Sequence, residues 1–133
     1  MQPEDGNLSQ TFPKAERIGS RLAIEQLVNS RKAIYKFPIK CYYAVNQLSD
    51  TLSVSRMAVS VPKRLFKHAV DRNRIKRLVR EAYRLNNRQC LEPLTTSGHQ
   101  ADMLFLYTGK EMPQFAQIEN VIKELLIRVA AQS

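Results

Sequence analysis

The chain has 133 residues, 44% of them hydrophobic, which is enough for one folded core and too few residues for two full domains. It carries 21 Lys and Arg against 12 Asp and Glu, a formal net charge of +9. Its longest strongly apolar run, Met103 to Tyr107, is far shorter than the roughly 20 residues that cross a bilayer. We therefore expect a cytoplasmic protein with no membrane partner, in which Cys41 and Cys90 are ordinary reduced thiols.

The N-terminal residues 1–13 hold Pro and Gly and few apolar side chains, which predicts a flexible arm. Residues 14–133 are predicted to form a single domain. Between Lys14 and Asn29, apolar residues recur every three to five positions, which predicts a short amphipathic helix. These apolar positions are Ile18, Leu22, Ala23 and Leu27.

Two segments rich in β-branched and aromatic residues, Tyr35 to Val45 and Leu52 to Val61, flank a polar turn at residues 46–50. This pattern predicts a β-hairpin. Neighbouring side chains of a strand point to opposite faces, so at most one of Tyr42 and Tyr43 belongs to the core face. For the aromatic side chains of this region, core packing and an exposed platform for stacking nucleotides stay open as alternatives, with about half of them expected in the core. They are Tyr35, Phe37, Tyr42 and Tyr43.

The segment from Ala69 to Asn87 gives the clearest helical pattern in the chain. Its apolar side chains fall in one sector of about 120° at 100° per residue, as expected of a helix packed on a sheet. That sector contains Ile75, Leu78, Val79, Ala82 and Leu85. The opposite side contains Asn73, Arg77, Arg80, Arg84 and Arg88, with Arg72, Lys76 and Tyr83 on one flank.

After this helix, residues 90–100 have the composition of a loop, and Ala101 to Tyr107 reads as a central strand because it is nearly all apolar. A second helical stripe begins at Phe115 and reaches Val129. The predicted order is α-β-β-α-β-α. Such an order indicates the α+β class, as a two-layer sandwich with helices mainly on one face of one sheet.

Positive charge is concentrated on the long helix and just before it. Residues 61–90 carry a net charge of +8, and the other 103 residues carry +1. Only Glu81 can pair with cations along the helix, so most of them lack local partners. Arginines dominate the set, and guanidinium groups bind phosphate bidentately and stack on bases, which favours RNA.

No arrangement of residues typical of a hydrolytic or metal centre is present. His68 and His99 lie far apart in sequence, and the acidic residues are scattered. A non-catalytic RNA scaffold and a DNA-binding regulator stay open as alternatives. The hypothesis of a DNA-binding regulator is the weaker of the two. A recognition helix normally belongs to a compact helical domain, whereas this helix is flanked by strands.

The run AVDRNRIKRLVREAYR, residues 69–84, resembles the RNR signature of the bacterial ribonuclease P protein subunit, and RMAVSVPKR, residues 56–64, is similar to that family's strand with its basic pair. The resemblance implies an α-β-β-α-β-α sandwich with a left-handed βαβ crossover. It also implies a subunit that binds a catalytic RNA and the 5′ leader of precursor tRNA. In that family the RNA subunit, with Mg²⁺, performs the endonucleolytic removal of the leader in tRNA 5′ maturation.

By the same resemblance, the protein has no catalytic residue, no cofactor or metal of its own and no obligate protein partner. Its partners are the catalytic RNA subunit and precursor tRNA. The RNA-binding helix is assigned Arg72, Asn73, Arg74, Lys76, Arg77, Arg80 and Arg84. The leader-binding cleft is assigned Tyr42, Arg56, Ser60, Lys63 and Arg64.

The chain departs from the family pattern at three points. Ile24 and Val28 stand where family members often have aromatic residues facing the cleft, and aliphatic side chains do not stack on bases as rings do. No Gly precedes Ala69, so the form of the preceding turn stays open. Pro62 occupies a position where Ser is frequent, which removes a hydroxyl group.

Overall fold

The computed structural model describes residues 17–47 and 55–132, which form one four-stranded sheet with helices packed on it. The helices are α1 (Arg21–Asn29), α2 (Ala69–Cys90), α3 (Glu92–Thr96) and α4 (Phe115–Ala130). The strands are β1 (Ala33–Lys36), β2 (Ile39–Gln47), β3 (Arg56–Ser60) and β4 (His99–Tyr107). The α+β class is confirmed, as are the helices predicted from Ala69 and from Phe115.

The strands lie in the order β1-β2-β4-β3. Strand β4 pairs antiparallel with β2 and parallel with β3, with Leu104 opposite both Tyr42 and Ala58. The central position predicted for residues 101–107 is therefore confirmed. The parallel pair makes β3-α2-β4 a βαβ crossover, as the resemblance implies; its left-handed sense stays a prediction.

The predicted pairing of residues 35–45 with residues 52–61 is wrong. The hairpin is instead formed by β1 and β2, which join at a cis Phe37–Pro38 peptide, while β4 separates β2 from β3. Pro38 has no N–H group to donate to a ladder, so the first segment is split at this residue. Residues 103–107 of β4 are apolar on both faces, which favours a place between two other strands.

The loop predicted over residues 90–100 is also wrong. Helix α2 continues to Cys90, α3 follows almost at once with Pro93 in its first turn, and β4 begins at His99. Gly98 has a φ of 83° and joins α3 to β4, in a conformation that other residues seldom adopt. Leu91 and Leu94 are buried in the main core, which explains why this segment is ordered.

The sheet has two differently covered faces. One face, with Met103 and Phe105 of β4, packs against α2 and α4 in the main core. The other face, with Tyr42 and Leu104, packs against α1 through Leu27 and forms a smaller apolar cluster. Tyr42 and Tyr43 do lie on opposite faces, because Tyr43 packs against the main core.

The inner side of α2 is rotated relative to the predicted stripe. Tyr83 is fully buried, with its ring 6.3 Å from that of Phe105, while Leu85 is 53% exposed. Asn86 is also buried and donates to Ala82 O at 2.8 Å and to Glu119 Oε2 on α4 at 3.0 Å. The buried face of α2 thus includes Tyr83 and Asn86, which the pattern of apolar residues did not place in the core.

Both outer edges of the sheet have contacts from outside it. At β3, Arg17 forms an isolated parallel bridge with Met57, and Ile18 N donates to Met57 O at 3.0 Å. At β1, the Arg128 guanidinium of α4 donates to the carbonyl oxygen of Tyr35 at 3.3 Å. Glu124 holds that guanidinium through a 2.9 Å ion pair one helical turn away.

The arm predicted over residues 1–13 lies outside the described residues, as do residues 14–16 of the helix predicted from Lys14 to Asn29. That prediction is wrong for residues 17–20, because Arg17 bridges to Met57 and Ser20 caps the start of the helix. Helix α1 begins at Arg21, after Ser20, whose side chain accepts a hydrogen bond from Ala23 N at 3.3 Å. In the described part of the chain, no helix combines the length and the apolarity required to span a membrane.

Gly109 follows β4 at a position with no room for a side chain. A Cβ atom there would lie 2.9 Å from the Tyr107 hydroxyl oxygen and 3.1 Å from Pro38 Cβ. We expect Gly109→Ala to lower the free energy of unfolding by about 1–3 kcal/mol, since the buried Tyr107 cannot move away freely. Urea denaturation measures this change.

The matched control is Gly19→Ala, where a Cβ would meet nothing within 4 Å. It should change stability by less than about 0.5 kcal/mol. Equal stability of the two variants would contradict the tight contact at Gly109.

Candidate nucleic-acid interface

The outer side of α2 presents the predicted RNA-binding residues to solvent. Asn73, Arg74, Arg77 and Arg80 are exposed, and Lys76 is partly buried. Among the described residues, no carboxylate forms an ion pair with any of these four cations. They are therefore available to neutralise phosphates.

Two other members of the predicted set are already engaged within the protein. Arg72 Nη1 donates to the carbonyl oxygens of Phe66 and Lys67, both at 2.8 Å, and so holds the segment before α2. The backbone N–H groups of Leu65 and Phe66 both donate to Pro62 O, so the segment before α2 forms an ordered turn without a glycine. The role of Arg72 in the described structure is to position the start of the helix.

Arg84 forms a two-pronged pair with Glu81, at 2.9 Å and 2.6 Å. The hydrogen bonds from Arg84 lower the pKa of Glu81, and those to Glu81 raise the pKa of Arg84. The charge of Arg84 is thus partly compensated, and a phosphate would have to compete with the carboxylate. This arginine should contribute less to RNA affinity than Arg77 or Arg80.

Arg80 lies at the flank of α2 that faces the edge of β3, near Arg17. Burial of its guanidinium and the positive charge of Arg17 lower the pKa of Arg80 from its ordinary value. Arginine keeps its proton even so, since a guanidinium group is effectively always protonated in proteins. Within the described residues no carboxylate pairs with either group, so an RNA phosphate placed here would relieve their repulsion.

The predicted cleft residues come together on the sheet face that carries α1, and Tyr42 is its central aromatic side chain. It is partly buried, and the Nζ atom of Lys40 lies 4.9 Å from the centre of its ring. Ile24 of α1 packs in the same cluster, and Val28 is exposed beside it. The register places Leu106 between Lys40 and Ser60, so Ser60 shares this face.

Arg56 is on the same face, but its charge is compensated. It pairs with Asp102 on β4 through Nε–Oδ1 and Nη2–Oδ2 distances of 3.0 Å and 2.9 Å. The hydrogen bonds to Asp102 raise the pKa of Arg56. Lys63 and Arg64 lie just after β3 and are exposed, so the free cations of this face are at the end of the strand.

Sequence patterns alone did not identify three residues of this surface. Nothing in the sequence links Arg17 to Arg80, because a backbone bridge to β3 brings them together. Lys40 lies in a segment whose sequence pattern is dominated by aromatic side chains, and a single lysine there gives no separate signal. Asp102 offered a detectable signal, since it is the one charged residue within the nearly apolar run 101–107 and a partly buried carboxylate requires a partner.

The described residues contain no group of three or more His, Cys, Asp or Glu side chains that could hold a metal ion. The two surfaces meet at the edge of β3 near its first residues, where Arg17 bridges Met57 and lies close to Arg80 of α2. Tyr83 fixes this junction, because its hydroxyl donates to Ser55 O at 3.3 Å. The arrangement presents an exposed cationic helix and a partly apolar, aromatic sheet face on either side of the β3 edge.

Comparison with known proteins identifies the family of this chain. The family model named Ribonuclease P matches residues 12–130. The chain is 37% identical over 117 residues to the "Ribonuclease P protein component" of Porphyromonas gingivalis strain W83, covering 88% of this chain and 85% of the relative. The chain belongs to the Ribonuclease P protein family.

Other members extend the comparison. The ribonuclease P protein component of Chlorobaculum tepidum is 40% identical over 81 residues, covering 53% of each chain. The solved ribonuclease P proteins of Staphylococcus aureus and Thermotoga maritima share the fold, with TM-scores of 0.61 and 0.62 at 20% and 21% identity. They cover 87% and 85% of this chain, and 96% of each solved chain is matched.

The contribution of the exposed helix cations can be measured through salt dependence. We expect Arg77→Gln and Arg80→Gln each to flatten the slope of log Kd against log salt for ribonuclease P RNA by about 0.7–0.9. Arg84→Gln should flatten it less, because Glu81 already compensates that charge. Fluorescence anisotropy over a salt series gives the slopes.

Lys123→Gln is the matched control, since it removes one exposed cation from α4 next to Cys90, at the C-terminal end of α2 and beyond the predicted RNA-binding residues. Its slope should equal that of the unaltered protein. If Arg77→Gln and Arg80→Gln also leave the slope unchanged, the outer side of α2 does not contact RNA.

Proposed function

We propose that this protein is the protein subunit of ribonuclease P, which assists the removal of the 5′ leader from precursor tRNA. The observation that carries the proposal is the pairing of an exposed, uncompensated cationic helix with an open aromatic sheet face. Family membership supports it, because the curated relatives are named ribonuclease P protein components. The role is in tRNA processing within a ribonucleoprotein.

In this proposal, α2 binds the catalytic RNA. Arg74, Arg77 and Arg80 neutralise its phosphates, and Asn73 reaches a base or a ribose hydroxyl through its amide. The long core contact of α2 keeps these groups on a rigid element. Little conformational entropy is then lost from the backbone when RNA binds.

The α1 side of the sheet binds the single-stranded leader. Tyr42 offers a ring for stacking, Lys40 places a cation beside it, and Lys63 and Arg64 neutralise phosphates where the strand leaves the sheet. Ile24 and Val28 give this cleft an aliphatic wall in place of rings. Leader binding therefore depends more on Tyr42 here than in family members with aromatic residues on α1.

The chemistry of hydrolysis is assigned to the RNA subunit and its Mg²⁺ ions. The protein contributes by holding precursor tRNA more tightly than mature tRNA, since only the precursor has a leader to bind. It also reduces phosphate repulsion near the scissile bond, which raises the effective affinity for Mg²⁺. No group of this chain is assigned a bond-breaking role.

Reconstitution tests the proposal directly. We expect the cognate ribonuclease P RNA to cleave a 5′-extended precursor tRNA at low Mg²⁺ only when this protein is added, and the protein alone to cleave nothing. Cleavage by the protein alone would contradict the assignment of catalysis to the RNA. Tight RNA binding without activation would favour a non-catalytic RNA scaffold.

Substitutions of Tyr42 distinguish binding of the leader from binding of the tRNA body. We expect Tyr42→Leu to weaken the affinity of the holoenzyme for precursor tRNA about tenfold, since stacking on an aromatic ring contributes about 1–3 kcal/mol per base. Tyr42→Phe keeps the ring and should retain the affinity. Competition binding with precursor and mature tRNA makes the measurement, and an equal loss for both RNAs would remove Tyr42 from the leader site.

A further inference from the structure

A cavity of about 330 Å³ lies at the end of the sheet, outside the two surfaces assigned above. The β1–β2 turn, the segment after β4 and the first turn of α4 form its walls. The residues that matter for its chemistry are Phe37, Pro38, Lys110, Met112, Pro113 and Gln117. Its size is at the lower end of the range typical of ligand sites.

The most exposed aromatic side chain of the described residues stands in this wall. Phe37 is 60% exposed, although burial of a phenylalanine ring is normally favourable. No ring contact is formed by Phe37 within the described part of the chain. The next residue, Pro38, is buried, so the backbone that carries the Phe37 ring is anchored to the core.

Close contacts order the walls of the cavity. Thr108 donates to Pro38 O through its backbone N at 2.8 Å and through its hydroxyl at 3.0 Å. The Tyr107 hydroxyl donates to Glu111 O at 2.8 Å, and burial together with the Glu111 charge raises the pKa of Tyr107, so that its donor proton is kept. Gly109 fills the space between Tyr107 and Pro38. The cavity is thus formed in advance of any ligand.

The cavity borders the α4 side of the sheet, and the β1–β2 turn that carries Phe37 connects it to the strand face that holds Tyr42. Tyr35 pairs with Lys40 and Ala33 pairs with Tyr42, so Tyr35 lies on the same face as Tyr42, one register step nearer the turn. Tyr35 is 51% exposed, and Phe37 follows two residues later. The aromatic side chains of Tyr42, Tyr35 and Phe37 therefore follow one another from the cleft to the cavity. Lys40 lies next to both tyrosines.

The chemistry of the walls fits a nucleobase. Phe37, Met112 and Pro113 offer apolar surface to the faces of a planar ring, and the Gln117 amide can donate to and accept from its polar edge. Lys110 and Glu111 cancel each other in charge, so the cavity itself does not attract phosphate. The phosphates of a bound nucleotide would lie outside the cavity, on the side nearer to Lys40.

From this arrangement we propose that the cavity is a second base-binding site, in which Phe37 stacks a nucleotide of the single-stranded leader beyond the base held at Tyr42. This inference rests on the proposed leader-binding function. It adds a separate contact outside the cleft and extends the RNA path around the end of the sheet. The site would favour longer leaders over leaders too short to reach it.

The test uses the reconstituted holoenzyme and a series of precursor tRNAs whose leaders lengthen by one nucleotide. For the unaltered protein, affinity should rise in a step when the leader reaches Phe37. Phe37→Ala should abolish that step, a loss of about tenfold, and leave the affinity for mature tRNA unchanged. Phe37→Tyr keeps a ring and should preserve the step.

A photoreactive uridine at each leader position gives a second, independent measurement. Crosslinks should map to the segment 110–113 from one position, and they should vanish with leaders too short to reach the cavity. Loss of the step in Phe37→Ala together with this crosslink supports the site. An unchanged step, an equal loss with mature tRNA, or crosslinks only to the cleft would overturn it.

The Tyr42 variants distinguish failure of this inference from failure of the proposed function. If Tyr42→Leu weakens precursor binding and Phe37→Ala does not, the cleft binds the leader and the cavity does not. If neither variant changes the preference for precursor over mature tRNA, leader binding by the sheet is itself wrong. Urea denaturation of Phe37→Ala checks the fold, which should be unaffected because the ring is exposed.

Discussion

The position of β4 between β2 and β3 determines how the rest of the molecule is arranged. Its two hydrogen-bonded edges are both occupied, one by an antiparallel partner and one by a parallel partner. The parallel pairing requires a crossover, and α2 provides it on the face where α4 also packs. Among the described residues, α1 alone covers the opposite face, which leaves room there for a single strand.

Charge compensation within the protein selects which cations are available to RNA. Arg56 and Arg84 are bound by carboxylates, and Arg72 by backbone carbonyls, whereas Arg77 and Arg80 have no such partner among the described residues. A simple count of basic residues would treat all five alike. The structure divides them into residues that shape the surface and residues free to bind phosphate.

Much of the fold could be predicted from periodicity, because α2, α4 and the central strand have strong and unambiguous patterns. The pairing of β3 could not, since a strand's composition does not say which neighbour it joins across a long crossover. The exposed position of Leu85 and the burial of Tyr83 were also beyond a residue-by-residue pattern, because the angle at which α2 meets the sheet decides them. For the interface, residue types identified the helix cations, and only tertiary contacts showed that Arg17 and Asp102 belong to the same surface.

The contact between Arg128 and the Tyr35 carbonyl has a consequence for how the protein behaves before it meets RNA. Strand β1 has only four residues, and a second chain that added to its outer edge would need the carbonyl that Arg128 already occupies. Short, charge-guarded edges are poor templates for intermolecular strand addition. The free chain is thereby protected from joining its neighbours edge to edge, and the mutual repulsion of its cationic helices acts in the same direction.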